Sequence, residues 1–446
     1  MERLFSKYID AVKETETMSF VGRVSLVKGL LIESIGPQAV VGEICVIDVR
    51  GADLLAEVIG LAENKVQLMA YGEITGVETG ARVKATGRTL SVPCSPALLG
   101  RVLGPTGEVI DNKGGIGAEA RYPALASPPP ALSRPSIKSR VVTGIRAIDA
   151  FLAVGEGQRM GVFAGSGVGK STFQGMLARN TAADVNVIAL IGERGREVND
   201  FIEQNLGKEG LARSCLVVST SDESALSRLR GAFVATAVAE YFRDRGMNVM
   251  LLFDSVTRFA RAQREIALSL GEAPAQRGYT PSVFDILPKL LERAGNSDKG
   301  SITAFYTVLV DGDDLDEPVS DNVRGILDGH IVLSRSLAAR AHHPAIDILQ
   351  SISRLGDEVS GRETKKAVRS VRGLIASYAE MEDMINAGAY KTGSNPQIDA
   401  AIEKHSVIEE FLIQDKEEKS TLAETLSALE KISGVEIPDA ERTAYT

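Results

Sequence analysis

The sequence of 446 residues predicts an α/β protein in three parts: an N-terminal small β-barrel, a central parallel-sheet domain built on a phosphate loop, and a C-terminal helical domain. Three observations predict it. Residues 159–172 read RMGVFAGSGVGKST, an apolar strand that runs into a glycine-rich turn and then a helix. Four more apolar strand segments follow at 185–192, 215–220, 249–254 and 302–310, and helical spacing follows each strand but the last. That alternation implies right-handed βαβ crossovers and a parallel sheet. On either side the pattern changes, to short Gly-punctuated β pieces before and charged amphipathic helices after.

Taken in order, residues 1–17 begin with Leu4, Phe5, Tyr8, Ile9 and Val12 on one helical stripe, with Lys7, Asp10 and Lys13 turned away. Such a helix either folds onto its own domain or docks a partner. Residues 18–93 contain FVGRVSLVKGLLIES, EICVIDV, LLAEVIGL, KVQLMAY and ARVKATG, the spacing of a small barrel or sandwich. Residues 94–150, with SPPPALSRP at 127–135, predict a semi-rigid connection and the start of the next domain. Residues 151–360 hold the parallel sheet, and 361–446 are helical, with amphipathic stretches at 362–387, 397–414 and 419–432.

Composition excludes several classes. Apolar residues make up 44% and charged residues 24%, as in ordinary soluble proteins, and no apolar run is long enough to span a bilayer. The charged start, Glu2 and Arg3, lacks an adjoining signal-peptide core. Cys45, Cys94 and Cys215 lie far apart and predict reduced, buried thiols, consistent with cytoplasm. Four histidines and the lack of CxxC or HExxH patterns argue against a protein-held metal cage. A net charge of −9, no tryptophan and 5% aromatic residues leave little for wrapping or stacking nucleic acid.

The phosphate loop comprises Ala164, Gly165, Ser166, Gly167, Val168, Gly169, Lys170, Ser171 and Thr172. Glycines let successive N–H groups face a polyphosphate, and the helix start adds its positive dipole end. Lys170 reaches terminal phosphates and the Ser171 hydroxyl suits Mg²⁺. Ala164 stands where the strict pattern has glycine, and a small residue still fits.

Hydrolysis needs more than binding: a second metal anchor, a group that orients water, and positive charge for the transition state. Asp254 ends the strand VMLLF and emerges at the C-terminal sheet edge, where open α/β folds bind ligands. Glu193 ends VNVIALIG in the same way, and Arg194, Arg196 and Glu197 follow within one turn. Two acids from different strands suit a division of labour, one holding metal through water and the other polarising water. A surface salt-bridge cluster is the plainer alternative. Arg258, one turn past Asp254, pairs with an acid or touches a γ-phosphate.

Together, AGSGVGKST, IGERGREVNDF, LLFDSVTRFARAQREIA, RGYTPSVFDILPKLLERAG, SDNVRGILDGHIVLSR and HHPAIDILQSISRL resemble the type III secretion ATPases, their flagellar export branch above all. These are relatives of the rotary F-type and V-type ATPase subunits, and the likeness covers about residues 18–435. The resemblance implies a RecA-like central domain with ATP and Mg²⁺. Lys170 and Ser171 match the phosphate lysine and metal hydroxyl, Glu193 the catalytic glutamate, Arg194 and Glu197 its flanking pair, and Asp254 the Walker B aspartate. Arg258 matches an arginine near the γ-phosphate. Arg354 matches an arginine finger that enters the neighbouring subunit's site, which implies a homohexameric ring. His343 stands before Pro344 where synthase-type relatives stack an aromatic on adenine. Tyr390 forms either the other wall of that pocket or core packing. The acidic loop 311–318 either orients water or is simply solvated.

The resemblance further implies a stator-like regulatory partner on residues 1–17 and a coiled-coil stalk in the ring axis near RGYTPSVFDILPKLLERAG. It also implies an export gate, chaperones and export substrates, and a place at the cytoplasmic face of the inner membrane with peripheral membrane association. Injectisome service, a rotary synthase subunit, an RNA-translocating hexamer and a non-enzymatic nucleotide-binding scaffold are the competing readings, the RNA one disfavoured by charge and aromatic content.

Overall fold

The computed structural model describes residues 21–310, 312 and 314–443. The amphipathic segment expected at 1–17 therefore lies outside the described residues, as do Asp311 and Asp313 of the acidic loop. The described chain divides into two compact units. One holds the residues up to Leu90 with Glu223–Ser227 and Glu265–Ala273; the other holds the rest.

The first unit is a closed barrel of six strands: β1 (Val21–Lys28), β2 (Leu31–Ile35), β3 (Glu43–Val49), β4 (Ala52–Ala62), β5 (Lys65–Ala70) and β6 (Arg82–Thr89), in the order β1-β2-β5-β4-β3-β6. Alternation explains the barrel. Val24, Ile32, Cys45, Ile47, Val58, Leu68 and Val83 are buried; in β1 and β3 they alternate with exposed or half-buried neighbours. Closure leaves no open sheet edge.

The second unit begins with β7 (Ser91–Cys94), β8 (Arg101–Leu103) and β9 (Ala120–Pro123), where β7 pairs β9. After them come β10 (Arg140–Val141), which pairs β11 (Val154–Gly155), and then β12 (Arg159–Ala164), β13 (Val185–Glu193), β14 (Ser214–Thr220) and β15 (Asn248–Asp254). The last four are β16 (Gly295–Asn296), β17 (Ser301–Leu309), β18 (Gly329–Leu333) and β19 (Ile346–Ser353). The main sheet runs β19-β18-β12-β17-β15-β13-β14-β8, parallel except for β19, and the short β16 pairs antiparallel with β17. Its central strands are buried on both faces, which is why they read as unbroken apolar runs.

Residues 94–150, expected as a connection and the start of the next domain, contribute a strand to the main sheet: β8 forms its edge beside β14, with Cys215 opposite Arg101. The buried Arg101 guanidinium holds Asp111 side by side, Nε to Oδ2 at 2.8 Å and Nη2 to Oδ1 at 2.8 Å. A three-residue strand carries no readable period, so proline and glycine dominated the sequence signal.

The C-terminal helices Arg362–Asn386, Pro396–Leu412 and Leu422–Ser433 follow the expected stretches closely. Asn395 caps the second, with Pro396 at its first turn, and a Thr421–Glu424 capping box starts the third. Their apolar faces join the sheet's own core: Ala367, Val371, Phe411, Leu426 and Leu429 pack in one cluster with Ile148, Phe151 and Leu177. Phe151 and Phe411 meet edge to face at 6.2 Å. All three thiols are free and buried. Among the described residues no helix is long and apolar enough to cross a membrane.

Candidate functional site

The loop after β12 has the conformation its glycines predict. Gly167 and Gly169 lie at φ +79° and +88°, the left-handed region, and Gly169 is the N-cap of the helix Lys170–Asn180. Ser166, Gly167 and Ser171 are exposed at its mouth, while Ala164, Gly165 and Val168 are buried beneath it. Thr172 follows on the first helical turn. The unpaired N–H groups of this helix start therefore face the same side as Lys170 and Ser171.

Lys170 gathers the two acids predicted from different strands. Its Nζ lies 3.1 Å from Glu193 Oε1 and 2.8 Å from Asp254 Oδ1. β13 and β15 are neighbours with Leu190 opposite Asp254, so the two strand ends emerge side by side. The side chains of Lys170, Glu193 and Asp254 are only 15%, 11% and 4% exposed, and burial penalises all three charges.

The network redistributes protons. Burial pushes Asp254 up to about 6, Glu193 adds to that, and Lys170 opposes it. Burial would also raise Glu193, but Lys170, a hydrogen bond with Glu197 and the nearby Arg258 outweigh it and hold this carboxyl below its ordinary value. Glu197 is raised, chiefly by sharing that hydrogen bond with Glu193. Lys170 stays protonated, because the two carboxylates more than offset its burial. The pair thus splits its acidity. Glu193 is held toward its ionised form, the form that accepts a hydrogen bond from water, while Glu197 is shifted the other way.

Arg258 sits on the helix Val256–Ser269 with its stem against Gly192, and its Nε is buried without a hydrogen-bond partner among the described residues. An orphaned cationic donor beside Glu193 suits an anionic ligand. Arg194 is 74% exposed and pairs with Glu197 at 3.5 Å.

His343 lies beside the phosphate loop. With Pro344, Val168, Gly169, Thr172 and Phe173 it lines a cavity of about 370 Å³ to which residues 413–417 also contribute. That volume falls within the range of small-molecule sites. Tyr390 is not among the residues lining this cavity: it lies past the helix Arg362–Asn386, where its hydroxyl donates to Asp399 Oδ1 at 2.9 Å. It makes neither the pocket wall nor core packing.

Arg354 is brought to none of these groups. It follows β19, whose Ser353 lies opposite Gly329 at the start of β18, while β18 runs parallel to β12 with Leu333 opposite Ala164. Arg354 therefore stands at the N-terminal edge of the sheet, exposed. The phosphate loop is at the C-terminal edge, on the order of 16 Å away along the strands.

Two features were missed in the sequence. Gly192 is the extra residue of a bulge, since Ile191 opposes Ser219 and Glu193 opposes Thr220. The bulge re-aims Glu193 off the strand's regular alternation. At φ +75°, a Cβ on Gly192 would lie 2.8 Å from Arg258 Cβ. The glycine immediately before the acid in IGERGRE was the available signal. The second is Gln414, buried, whose N–H donates to the His343 carbonyl at 2.8 Å and whose side chain ties Gly144 and Arg146 together. Nothing in its neighbourhood marks it in sequence.

Comparison with known proteins gives three family matches. Residues 24–87 match the β-barrel domain of the ATP synthase alpha/beta family, 144–353 its nucleotide-binding domain, and 360–431 the T3SS EscN ATPase C-terminal domain. A flagellum-specific ATP synthase of Treponema pallidum (strain Nichols) is 58% identical across 97% of this chain and 98% of its own. A type 3 secretion system ATPase of Xanthomonas euvesicatoria is 48% identical across 92% and 94%. The solved structure of the assembled ATPase EscN with its central stalk EscO, from the enteropathogenic E. coli type III secretion system, superposes with a TM-score of 0.87 at 43% identity, covering 92% of this chain and 100% of that one.

Proposed function

The chain belongs to the family of flagellum-specific and type III secretion ATPases and is an ATP-hydrolysing enzyme, and on that premise we propose that it works as a homohexamer in flagellar protein export, splitting ATP into ADP and phosphate at sites shared between neighbouring protomers. The meeting of Lys170, Glu193 and Asp254 at the end of the phosphate-loop strand carries this reading.

The residues fit a magnesium nucleotide. The left-handed Gly169, the exposed Ser171 hydroxyl, the buried Asp254 and the orphaned Arg258 Nε form one set of phosphate and cation partners. In this reading Lys170 and the N–H groups of 165–170 hold the terminal phosphates. Ser171 would hold Mg²⁺, with Asp254 and Glu197 as partners through water. The ion's contribution is to neutralise charge on the phosphate oxygens. Glu193 accepts a hydrogen bond from the attacking water and orients it in line with the γ-phosphorus. Arg258 pairs with the γ-phosphate. His343 and Pro344 take the base in the adjoining cavity. Arg354, too far from its own phosphate loop, serves a neighbour's site, where its guanidinium meets the charge of the transition state.

Relatives named flagellum-specific support the flagellar reading; the type 3 secretion relative and the EscN likeness support injectisome service as the second. The EscN–EscO likeness also supports a coiled-coil stalk as partner, placed by this reading against 277–295. A regulatory partner on 1–17, chaperones, export substrates, an export gate and a seat at the cytoplasmic face of the membrane complete the proposal.

Phosphate release by the purified chain with Mg²⁺ and ATP tests it. Glu193→Gln should keep nucleotide affinity and lose turnover by about 10²- to 10⁴-fold. Turnover unchanged in this variant would remove Glu193 from the mechanism.

A further inference from the structure

Arg354 is exposed, yet it does not hang free. Its backbone N–H donates to the Asp328 carbonyl at 3.0 Å, and its Nη2 donates to the Arg324 carbonyl at 3.3 Å. Both acceptors belong to the corner between the helix Pro318–Ile326 and β18. Ser353, the residue before, is pinned as well: its Oγ donates to the Ala153 carbonyl at 2.7 Å and accepts from Gln158 Nε2 at 3.0 Å.

The corner itself is fastened to the first residue of β12. Asp328 takes Arg159 Nε at 3.0 Å and Nη2 at 3.1 Å side by side, and its Oδ2 also accepts the Arg159 backbone N–H at 3.1 Å. The Asp328 N–H returns a bond to the Arg159 carbonyl at 2.9 Å. Four hydrogen bonds thus join two residues, and the charged pair is largely shielded, at 14% and 25% side-chain exposure. The remaining Arg159 nitrogen, Nη1, faces Glu292 at 2.5 Å, the residue just after the helix Pro281–Leu291.

A long side chain magnifies any tilt at its base, so a finger that must meet a phosphoryl group in another protomer needs a rigid root. We propose that the Arg159–Asp328 clamp is a positioning device for Arg354, felt in the neighbour's active site rather than in its own. This rests on the shared-site reading given above. The bland alternative is a fastening of β12 to β18 that supports the protomer's own phosphate loop, since β12 leads into it.

Mixed rings separate the two. Asp328→Ala protomers keep an intact phosphate site and lose finger placement; Lys170→Ala protomers lose the phosphate site and keep the finger. The Asp328→Ala chain alone should lose turnover by about 10²-fold with unchanged nucleotide affinity and KM. Mixed with Lys170→Ala chains and reassembled, turnover should rise at least about tenfold over Asp328→Ala alone, as Arg354→Ala should when mixed the same way. Should Asp328→Ala not fold, Asp328→Asn keeps the shape and weakens the charge, and serves in the same mixture. Recovery with Arg354→Ala but not with the Asp328 variant would overturn the clamp while leaving the shared site standing. No recovery in either mixture would overturn both, and wild-type turnover by Asp328→Ala would overturn the clamp outright.

Discussion

Lys170 is buried between two carboxylates at the C-terminal edge of the sheet, whereas Arg354 stands exposed at the N-terminal edge of the same sheet. The first region pairs its charges internally. Two acids and one ammonium hold one another in place at the cost of desolvation, and their acidities are pulled apart as a result. The second leaves a guanidinium in water, rooted by backbone bonds but with no acid partner of its own among the described residues. A buried cation has already been desolvated for its ligand; an exposed one is desolvated only when another surface covers it. On the proposed reading, the contrast means that one protomer carries two half-sites facing different ways.

The contrast can be broken most forcefully at the exposed end. Arg354→Ala should cut turnover of the assembled protein by about 10³-fold or more while leaving nucleotide affinity nearly unchanged. Loss of binding, read by a fluorescent nucleotide, would mean that Arg354 supports its own protomer's fold instead. At the buried end, Gly192→Ala places a methyl group against Arg258 in a left-handed backbone, so roughly 1–2 kcal/mol of stability should go. Glu193 should be displaced with it, and turnover should fall by about tenfold or more. Denaturant melts and steady-state kinetics together read this variant, and unchanged values in both would show that the bulge does not aim the glutamate.

Acidity sharpens the comparison next. The proposed role of Asp254 needs it ionised, and burial pushes its carboxyl up to about 6. The acid limb of kcat/KM should therefore centre near that value, with rate rising as pH rises through it. Arginine keeps its charge throughout this range, so Arg354→Ala should lower the whole profile without moving the limb. A limb in the ordinary carboxylate range would contradict the buried-triad electrostatics. The smallest effect is expected at Tyr390→Phe, which removes only the hydroxyl bonded to Asp399 and should leave nucleotide affinity unchanged.

How much could be read in advance follows the same division. The phosphate loop, Glu193 and Asp254 were legible because a strand end and a local loop fix where their side chains emerge. Arg354 stood out only through family resemblance, for the role proposed for it depends on a second chain that no local pattern encodes. Gly192 hid inside an apolar run, since a one-residue bulge leaves hydrophobicity unchanged. β8 hid among prolines and glycines, being too short to show a period. Tyr390, which reads as either pocket wall or core packing, is not among the residues that line the cavity with His343 and residues 413–417.

The most direct test of the shared site is ATPase rate per chain measured across a dilution series, with particle mass read in the same samples. Two half-sites per protomer predict a rate that climbs steeply as multimers form and collapses where single chains remain. Full turnover per chain in samples holding only monomers would contradict it.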